Sequence, residues 1–184
     1  MARPHRLHSQ EIERIPENLY RDPVDFILAD HYRQRTVCDI LESLQRPSSD
    51  GHAALAAEVL RYLEHELPHH VRDEEAGLFP RLKRRCPTGE DIRTILGILS
   101  EEHDKDAHLL PSLIDELRTI VRTGQPEQAD RFARLVTVFV ESLRRHLAWE
   151  DATVLRLARQ WLTQDDLSEF GHEMAERRGA AYPD

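Results

Sequence analysis

Residues 59–78 read VLRYLEHELPHHVRDEEAGL, and this stretch decides the fold. From its first residue onward, every third or fourth position falls on one stripe: Val59, Leu63, Leu67, His70, Glu74 and Leu78. This spacing predicts an α-helix with one face turned inward. The stripe is not purely apolar, because a histidine and a glutamate occupy two of its positions.

Three further segments carry a stripe of the same kind. Its members are Ile27, His31, Gln34, Cys38 and Leu41 in a first helix; Ile92, Leu96, Leu99, His103, Asp106 and Leu110 in a third; and Phe132, Phe139, Leu143, His146, Glu150 and Leu157 in a fourth. We therefore predict an all-α fold, an antiparallel up-down-up-down four-helix bundle with a short C-terminal fifth helix.

Breakers and caps set the predicted bounds. The first three helices should cover about 22–46, 52–85 and 88–122, with Pro68 kinking the second. Gly124 and Pro126 separate the third helix from the fourth, which should extend to about Leu162. Asp22-Pro23, Thr88 with Asp91, and Thr163 with Asp166 are typical helix starts. The predicted organisation is an N-terminal arm (1–21), the bundle (22–162) and a C-terminal helix with its tail (163–184).

Composition excludes several classes of protein. The 184 residues carry a formal charge of −9, which argues against binding to nucleic acid or to an anionic membrane through bulk charge. The basic run Arg81, Lys83, Arg84 and Arg85 is interpreted as a solvated helix end. No run of apolar residues is long enough to span a bilayer, so a cytoplasmic protein with reduced Cys38 and Cys86 is expected.

The polar residues on the four stripes indicate a metal site. One inward histidine is usually a hydrogen-bonded core residue. Four of them with two glutamates are different, because a buried ionised carboxylate is costly without a cation. The candidate ligands are His31, His70, Glu74, His103, His146 and Glu150.

Distance from the interhelical breaks tests whether these residues share one level. In antiparallel helices, residues equally far from the break that joins them lie at about the same height. By this measure His70, His103 and His146 agree within about one residue, whereas His31 lies about five residues, or roughly 7 Å, from the height of His70. A kink at Pro68 could absorb that difference. Each inward glutamate lies four residues after a histidine, so both can face one pair of metals. Imidazole and carboxylate donors without inward thiolates favour iron or manganese over a zinc–sulfur site.

The chain resembles the hemerythrin-like (HHE cation-binding) family over about residues 22–160. DHYRQR at His31, HHVRDEEAGLFPRL at His70 and Glu74, EEH at His103 and HLAWED at His146 and Glu150 carry the resemblance. It implies a non-haem di-iron centre, oxo- or hydroxo-bridged, that Glu74 and Glu150 span. Manganese or zinc could replace the iron. The small-molecule ligand would be O2, H2O2 or NO, and no redox partner is evident.

The chain departs from the oxygen-carrying members in two places. They have a further histidine four residues after the third-helix ligand, where this chain has Ala107; His108 is one residue away and is expected to be exposed. They also have an aspartate five residues after the last histidine. Here Glu150 lies at four, and Asp151 is the alternative. The resemblance is therefore to a four-histidine variant.

Two other interpretations of the histidines and carboxylates fit the sequence less well. His65-Glu66-Leu67-Pro68-His69 matches the HExxH zinc-protease string, but Pro68 disturbs the turn that it requires. A ferritin-like oxidase needs more carboxylates than the stripes carry. Within the di-iron reading the predicted function is to bind or react with a small oxidant. Catalase- or peroxidase-like turnover is left open, and a metal- or oxygen-dependent sensor or an iron-storage protein without turnover is the alternative.

Overall fold

The computed structural model describes residues 12–46, 51–87 and 89–183. Within these ranges there is no strand, and the all-α class is confirmed. A 3-10 turn, Glu17–Arg21, precedes five helices: α1 Pro23–Ser43, α2 52–85, α3 Gly89–Thr123, α4 129–161 and α5 Gln164–Arg177. Across the same ranges no helix has the length and apolar composition needed to cross a bilayer.

Two of the predicted helix starts are confirmed. The Asp22 carboxylate accepts a hydrogen bond from the backbone N–H of Asp25 (3.2 Å), and Pro23 begins α1. Thr163 and Asp166 form a reciprocal capping box at α5. The predicted cap at Thr88 lies outside the described residues. Because α1 and α5 begin where side chains replace the missing backbone acceptors, their starts could be read from sequence.

Side-chain pairs show that neighbouring helices are antiparallel. On α1 and α4, Glu42 pairs with Arg144 and Asp25 pairs with Arg159, so residue numbers rise on one helix as they fall on the other. The other three contacts show the same reversal: Asp30–His70 and Arg33–Glu66, Glu64–Arg118 and Glu75–Ser100, Glu102–Arg145 and Glu116–Arg131. Each of the four long helices therefore packs on the helices before and after it, and α4 returns to α1.

The apolar core consists of two clusters with a polar layer between them. One cluster includes Val37, Leu63, Leu117 and Phe139, and the other includes Ile27, Leu78, Leu96 and Leu155. Cys38 belongs to the first cluster and Cys86 to the second, and both are thiols. The level between the clusters is where the stripes carry histidine and glutamate.

Three π-helical turns interrupt α2 and α4. They cover Tyr62–Glu66, Asp73–Leu78 and Glu150–Val154. The first two precede Pro68 and Pro80, where a wider turn lets the helix continue although proline cannot donate the usual hydrogen bond. As predicted, α2 continues through Pro68. The extra residue of the first π turn accounts for part of the height difference calculated for His31 and His70.

The π turn in α4 also corrects one predicted core residue. Leu157 was expected on the inward stripe, but it is only partly buried, whereas Leu155 and Ala158 are buried. A π turn adds one residue, so the inward position seven residues after Glu150, expected to be Leu157, moves to Ala158. The periodic pattern could not anticipate that displacement.

The basic run at the end of α2 differs from its interpretation as a solvated terminus. Arg81 is only 4% exposed and donates hydrogen bonds to Glu173 (2.7 Å) and Glu169 (3.0 Å) of α5. Arg85 donates to Asp166 (2.7 Å). That interpretation was therefore wrong for Arg81, whereas Arg85 is exposed and pairs with α5 at the surface.

Candidate metal centre

The six predicted ligand residues lie together in the polar layer. They form two groups of four, and in each group the candidate ligand atoms lie within 4.8 Å of one another. The first group is His31, His70, Glu74 and Glu150, and the second is Glu74, His103, His146 and Glu150. Both groups contain the same two glutamates. This is the arrangement expected for two cations that share two carboxylates.

Glu74 turns one carboxylate oxygen toward each group. Its Oε1 lies 3.4 Å from Nε2 of His70 and 3.6 Å from Nε2 of His31. Its Oε2 lies 3.3 Å from Nε2 of His103. A single carboxylate therefore faces three imidazoles on three helices.

Glu150 is placed in the same way on the other side. Its Oε2 lies 3.4 Å from Nε2 of His31, and its Oε1 lies 3.1 Å from Nε2 of His146. Both oxygens of Glu74 and of Glu150, and Nε2 of His31 and of His146, are buried without a hydrogen-bond partner among the described residues. Leaving six such atoms unsatisfied in a core is costly, and metal ligation would satisfy them. The residues present therefore fit a bound metal.

The outer nitrogens of the four histidines are held by a second set of carboxylates, which we call the outer ring. The Nδ1 to oxygen pairs are His31–Asp151 (2.6 Å), His70–Asp30 (3.1 Å), His103–Glu75 (2.8 Å) and His146–Glu102 (3.1 Å). In every pair the carboxylate comes from the preceding helix of the bundle, and α4 supplies the carboxylate for α1. When Nδ1–H donates to its carboxylate, the lone pair of Nε2 is directed inward, toward the two groups.

Further polar groups fix the outer ring itself. Arginines donate to three of its carboxylates, and a hydroxyl donates to the fourth: Arg33 to Asp30 (2.7 Å), Arg35 to Asp151 (2.5 Å), Arg145 to Glu102 (2.9 Å) and Ser100 to Glu75 (3.0 Å). The outer carboxylates are thus ionised and oriented by contacts on their far side. The histidine rings inherit that orientation.

The polar layer contains several carboxylates, and neutral imidazoles cannot offset their negative charge. Burial alone would lower the pKa of His31 and of His103, but adjacent carboxylates raise each pKa to about 10. Burial would raise the pKa of Glu74, whereas the surrounding imidazoles hold it well below its usual range. These opposite shifts have one cause, because the attraction between a buried carboxylate and a protonated imidazole favours the charged form of both.

Both inward glutamates lie in π turns. Glu74 is the second residue of Asp73–Leu78, and Glu150 is the first of Glu150–Val154. A π turn has one more residue than an α turn, so consecutive carboxylates can be directed to different neighbours. Glu150 joins the two groups while Asp151 turns to His31, and Glu74 joins them while Glu75 turns to His103.

The alternatives from the sequence lie outside both groups. His108 is exposed, and Ala107 contributes no donor. In the HExxH string, His65 is exposed, and Glu66 forms ion pairs with Arg33 and Arg61. Within the described ranges no other cluster of donors reaches three residues. The zinc-protease and ferritin-like arrangements are therefore not present there.

The outer ring is the part of the site that sequence reasoning missed. The inward stripes do not include Asp30, Glu75 or Glu102, and the sequence indicates Asp151 only as an alternative ligand. One signal was available, because each of these residues adjoins an inward histidine or glutamate in the sequence. Their partners, however, lie on other helices, and periodicity does not report which helix lies next.

Comparison with known proteins agrees with this geometry. A family model described as the Hemerythrin HHE cation binding domain matches residues 22–158, about three quarters of the chain. The matched range begins at the cap of α1 and ends within the last turns of α4. No curated protein matched the chain in the corresponding search.

Proposed function

Because the chain belongs to the hemerythrin HHE cation-binding domain family, we propose that it is a non-haem di-iron protein that binds or reacts with a small oxidant. One iron would be held by His31 and His70 and the other by His103 and His146, with Glu74 and Glu150 spanning both. The observation that carries this proposal is the sharing of two buried glutamates by both groups.

Iron is proposed for its donor set. The two groups offer imidazole nitrogen and carboxylate oxygen and no thiolate, which suits iron or manganese. When bound, an iron pair supplies one-electron redox chemistry toward O2, peroxide or NO. The protein's own contribution is to orient the imidazoles through the outer ring and to enclose the polar layer between two apolar clusters.

The absence of a fifth histidine favours reaction over simple oxygen storage. Ala107 stands where the oxygen carriers have that residue and offers no ligand atom, so a coordination position would be left open to a small molecule. A peroxide turnover assay on iron-loaded protein tests this part of the proposal. Turnover no faster than that of free iron would exclude catalase-like activity and leave binding of the oxidant.

A sensor remains the second candidate, supported by a link between the centre and α5. Asp73 directly precedes Glu74, is buried, and accepts hydrogen bonds from Arg177 (2.7 Å), the last residue of α5, and from Arg178 (2.6 Å), which follows it. A shift of this π turn on metal binding would reach α5. Hydrogen exchange of α5 with and without iron tests the sensor reading, and equal protection in both states would rule it out.

The ligand set is tested by counting iron in two matched variants of α3. His103→Ala removes an inward imidazole, and His108→Ala removes an exposed one five residues further along the same helix. Anaerobically ferrous-loaded wild-type protein and His108→Ala should hold about two irons per chain, and His103→Ala should hold about one or none.

The same samples should develop new absorption bands when O2 is added only if they retain both irons. Equal iron content in the two variants would remove His103 from the proposed site. No iron binding by the wild-type protein would leave the histidines to another metal or to a polar core.

A further inference from the structure

A cavity of about 410 Å³ opens beside the metal centre, between α2 and α3. Its walls are mainly apolar and come from three helices: Leu67, Pro68, Val71, Leu110, Phe139 and Leu143. It also reaches Gln34 of α1, which is only 1% exposed, so it extends inward past the surface of the bundle.

The cavity ends at the proposed iron ligands and begins at the position of the missing histidine. His70, His103 and His146 contribute to its lining. Ala107 is exposed and also lines it. Since alanine has the smallest side chain with a Cβ, the mouth stays open at the point where a larger residue would narrow it.

The size and lining indicate an organic occupant. Cavities that bind small organic ligands span about 300–1,000 Å³, whereas one water needs only about 10–15 Å³. A diatomic molecule would leave most of this cavity vacant. Water would find few partners on its apolar walls, because ordered waters need two to four polar contacts each.

Polar groups at the two ends restrict the chemistry of the ligand. The Nε2 of Gln34 has no hydrogen-bond partner in the described part of the chain, and an amide Nε2 is a donor. Nearer the surface, Arg72 carries a positive charge while Glu75 and Asp106 carry acidic groups. Because both signs are present, neither an anion nor a cation is favoured.

We propose that this cavity binds a neutral organic molecule with an apolar, ring-sized body and a hydrogen-bond-accepting oxygen directed to Gln34. The apolar walls bury the body of the ligand, and Nε2 of Gln34 donates a hydrogen bond to its oxygen. The binding claim stands on the cavity alone. That the ligand lies beside iron, and is thus the class of molecule exposed to its chemistry, rests on the proposed function.

Prodan, a neutral naphthalene dye with one ketone, is a suitable probe. Its emission moves to shorter wavelength in apolar surroundings, and a hydrogen bond to the ketone opposes that shift. Titration by fluorescence and by calorimetry should show one saturable site per chain. Ala107→Trp narrows the mouth and should weaken binding by about tenfold or more. Ala57→Trp, the same change at an exposed alanine of α2 outside the cavity, should change binding by less than about twofold.

Gln34→Leu tests the polar end without closing the cavity. The dye should still bind, more weakly, and its emission should move to shorter wavelength because the ketone has lost its donor. Circular dichroism confirms that each variant is folded. Absence of saturable binding by the wild-type protein, or equal binding by Ala107→Trp and Ala57→Trp, would overturn the inference.

Iron content measured on the same samples separates the two proposals. Dye binding by a protein that takes up no iron would refute the di-iron function and support the cavity. Iron binding without dye binding would refute the cavity and leave the di-iron function in place.

Discussion

The contact between Gly77 of α2 and Phe170 of α5 predicts a steric cost for one added methyl group. A Cβ at position 77 would lie 2.3 Å from Cε2 and 2.8 Å from Cδ2 of the Phe170 ring. The ring is fully buried, and the Arg81 guanidinium lies 5.3 Å from its centroid. Gly77→Ala therefore forces a buried aromatic ring to move.

Two opposing effects set the magnitude. Overpacking of a core costs about 1–3 kcal/mol, whereas alanine is favoured over glycine inside a helix by about 1 kcal/mol. Gly77→Ala should then lower the free energy of unfolding by about 0–2 kcal/mol. Gly97 of α3 is the matched control, because it is exposed and its added Cβ would meet nothing within 4 Å. Gly97→Ala should stabilise by about 0.5–1 kcal/mol.

The difference between the two variants isolates the steric cost, about 1–3 kcal/mol. Urea denaturation followed by far-ultraviolet circular dichroism measures it. Repeating Gly77→Ala in a Phe170→Leu background should reduce the cost, because the ring is gone. Equal stabilisation by both glycine substitutions would refute the reasoning, as would an unchanged cost of Gly77→Ala after the ring is removed.

Three further predictions concern other parts of the fold. Burial opposes ionisation of Asp166, but hydrogen bonds from a guanidinium and from the α5 cap lower its pKa to about 2. This pKa lies below the unfolded value of about 3.9, so the stabilising effect of the ionised Asp166 carboxylate is lost as pH falls from about 4 to 2. Asp166→Asn should therefore cost more stability in urea titrations near pH 7 than near pH 3. Burial raises the pKa of the Cys38 thiol to about 12, and the Cys86 thiol is also buried. Ellman's reagent should therefore react slowly with the native protein and fast after denaturation. Rapid labelling of the native protein would contradict this prediction. Leu155→Ala should cost about 2–5 kcal/mol in thermal unfolding, and Leu157→Ala clearly less, because only Leu155 is fully buried; the reverse order would mean that the π turn is misplaced.

Much of the fold could be predicted because it is recorded in local chemistry. Stripe spacing, proline and glycine breaks and side-chain caps indicated each helix of the bundle, and predicted and observed ends differ by a few residues. The errors have a different origin. Leu157 left the stripe because of a π turn, and Arg81 became buried because α5 folds back onto it. Both depend on contacts between segments far apart in sequence.

In the candidate site too, some residues could be recognised from their own helix and others only from the neighbouring helix. The inward histidines and glutamates could be selected because each interrupts an apolar stripe on its own helix. The outer carboxylates could not, because Asp30 and Glu102 look like ordinary polar neighbours until the adjacent helix is known. The cavity was also outside reach of the sequence, although Ala107 marked the position where a side chain is missing.

The closure of the outer ring has a mechanical consequence. A helix that slid by one turn along the bundle axis, about 5.4 Å, would break the pair in which it supplies the carboxylate and the pair in which it supplies the imidazole. Without the Asp151–His31 pair, α1 and α4 would each keep only one pair of the outer ring. With it, no helix can slip without disturbing both of its neighbours. The four heights are therefore set jointly, which keeps the six inward side chains at one level.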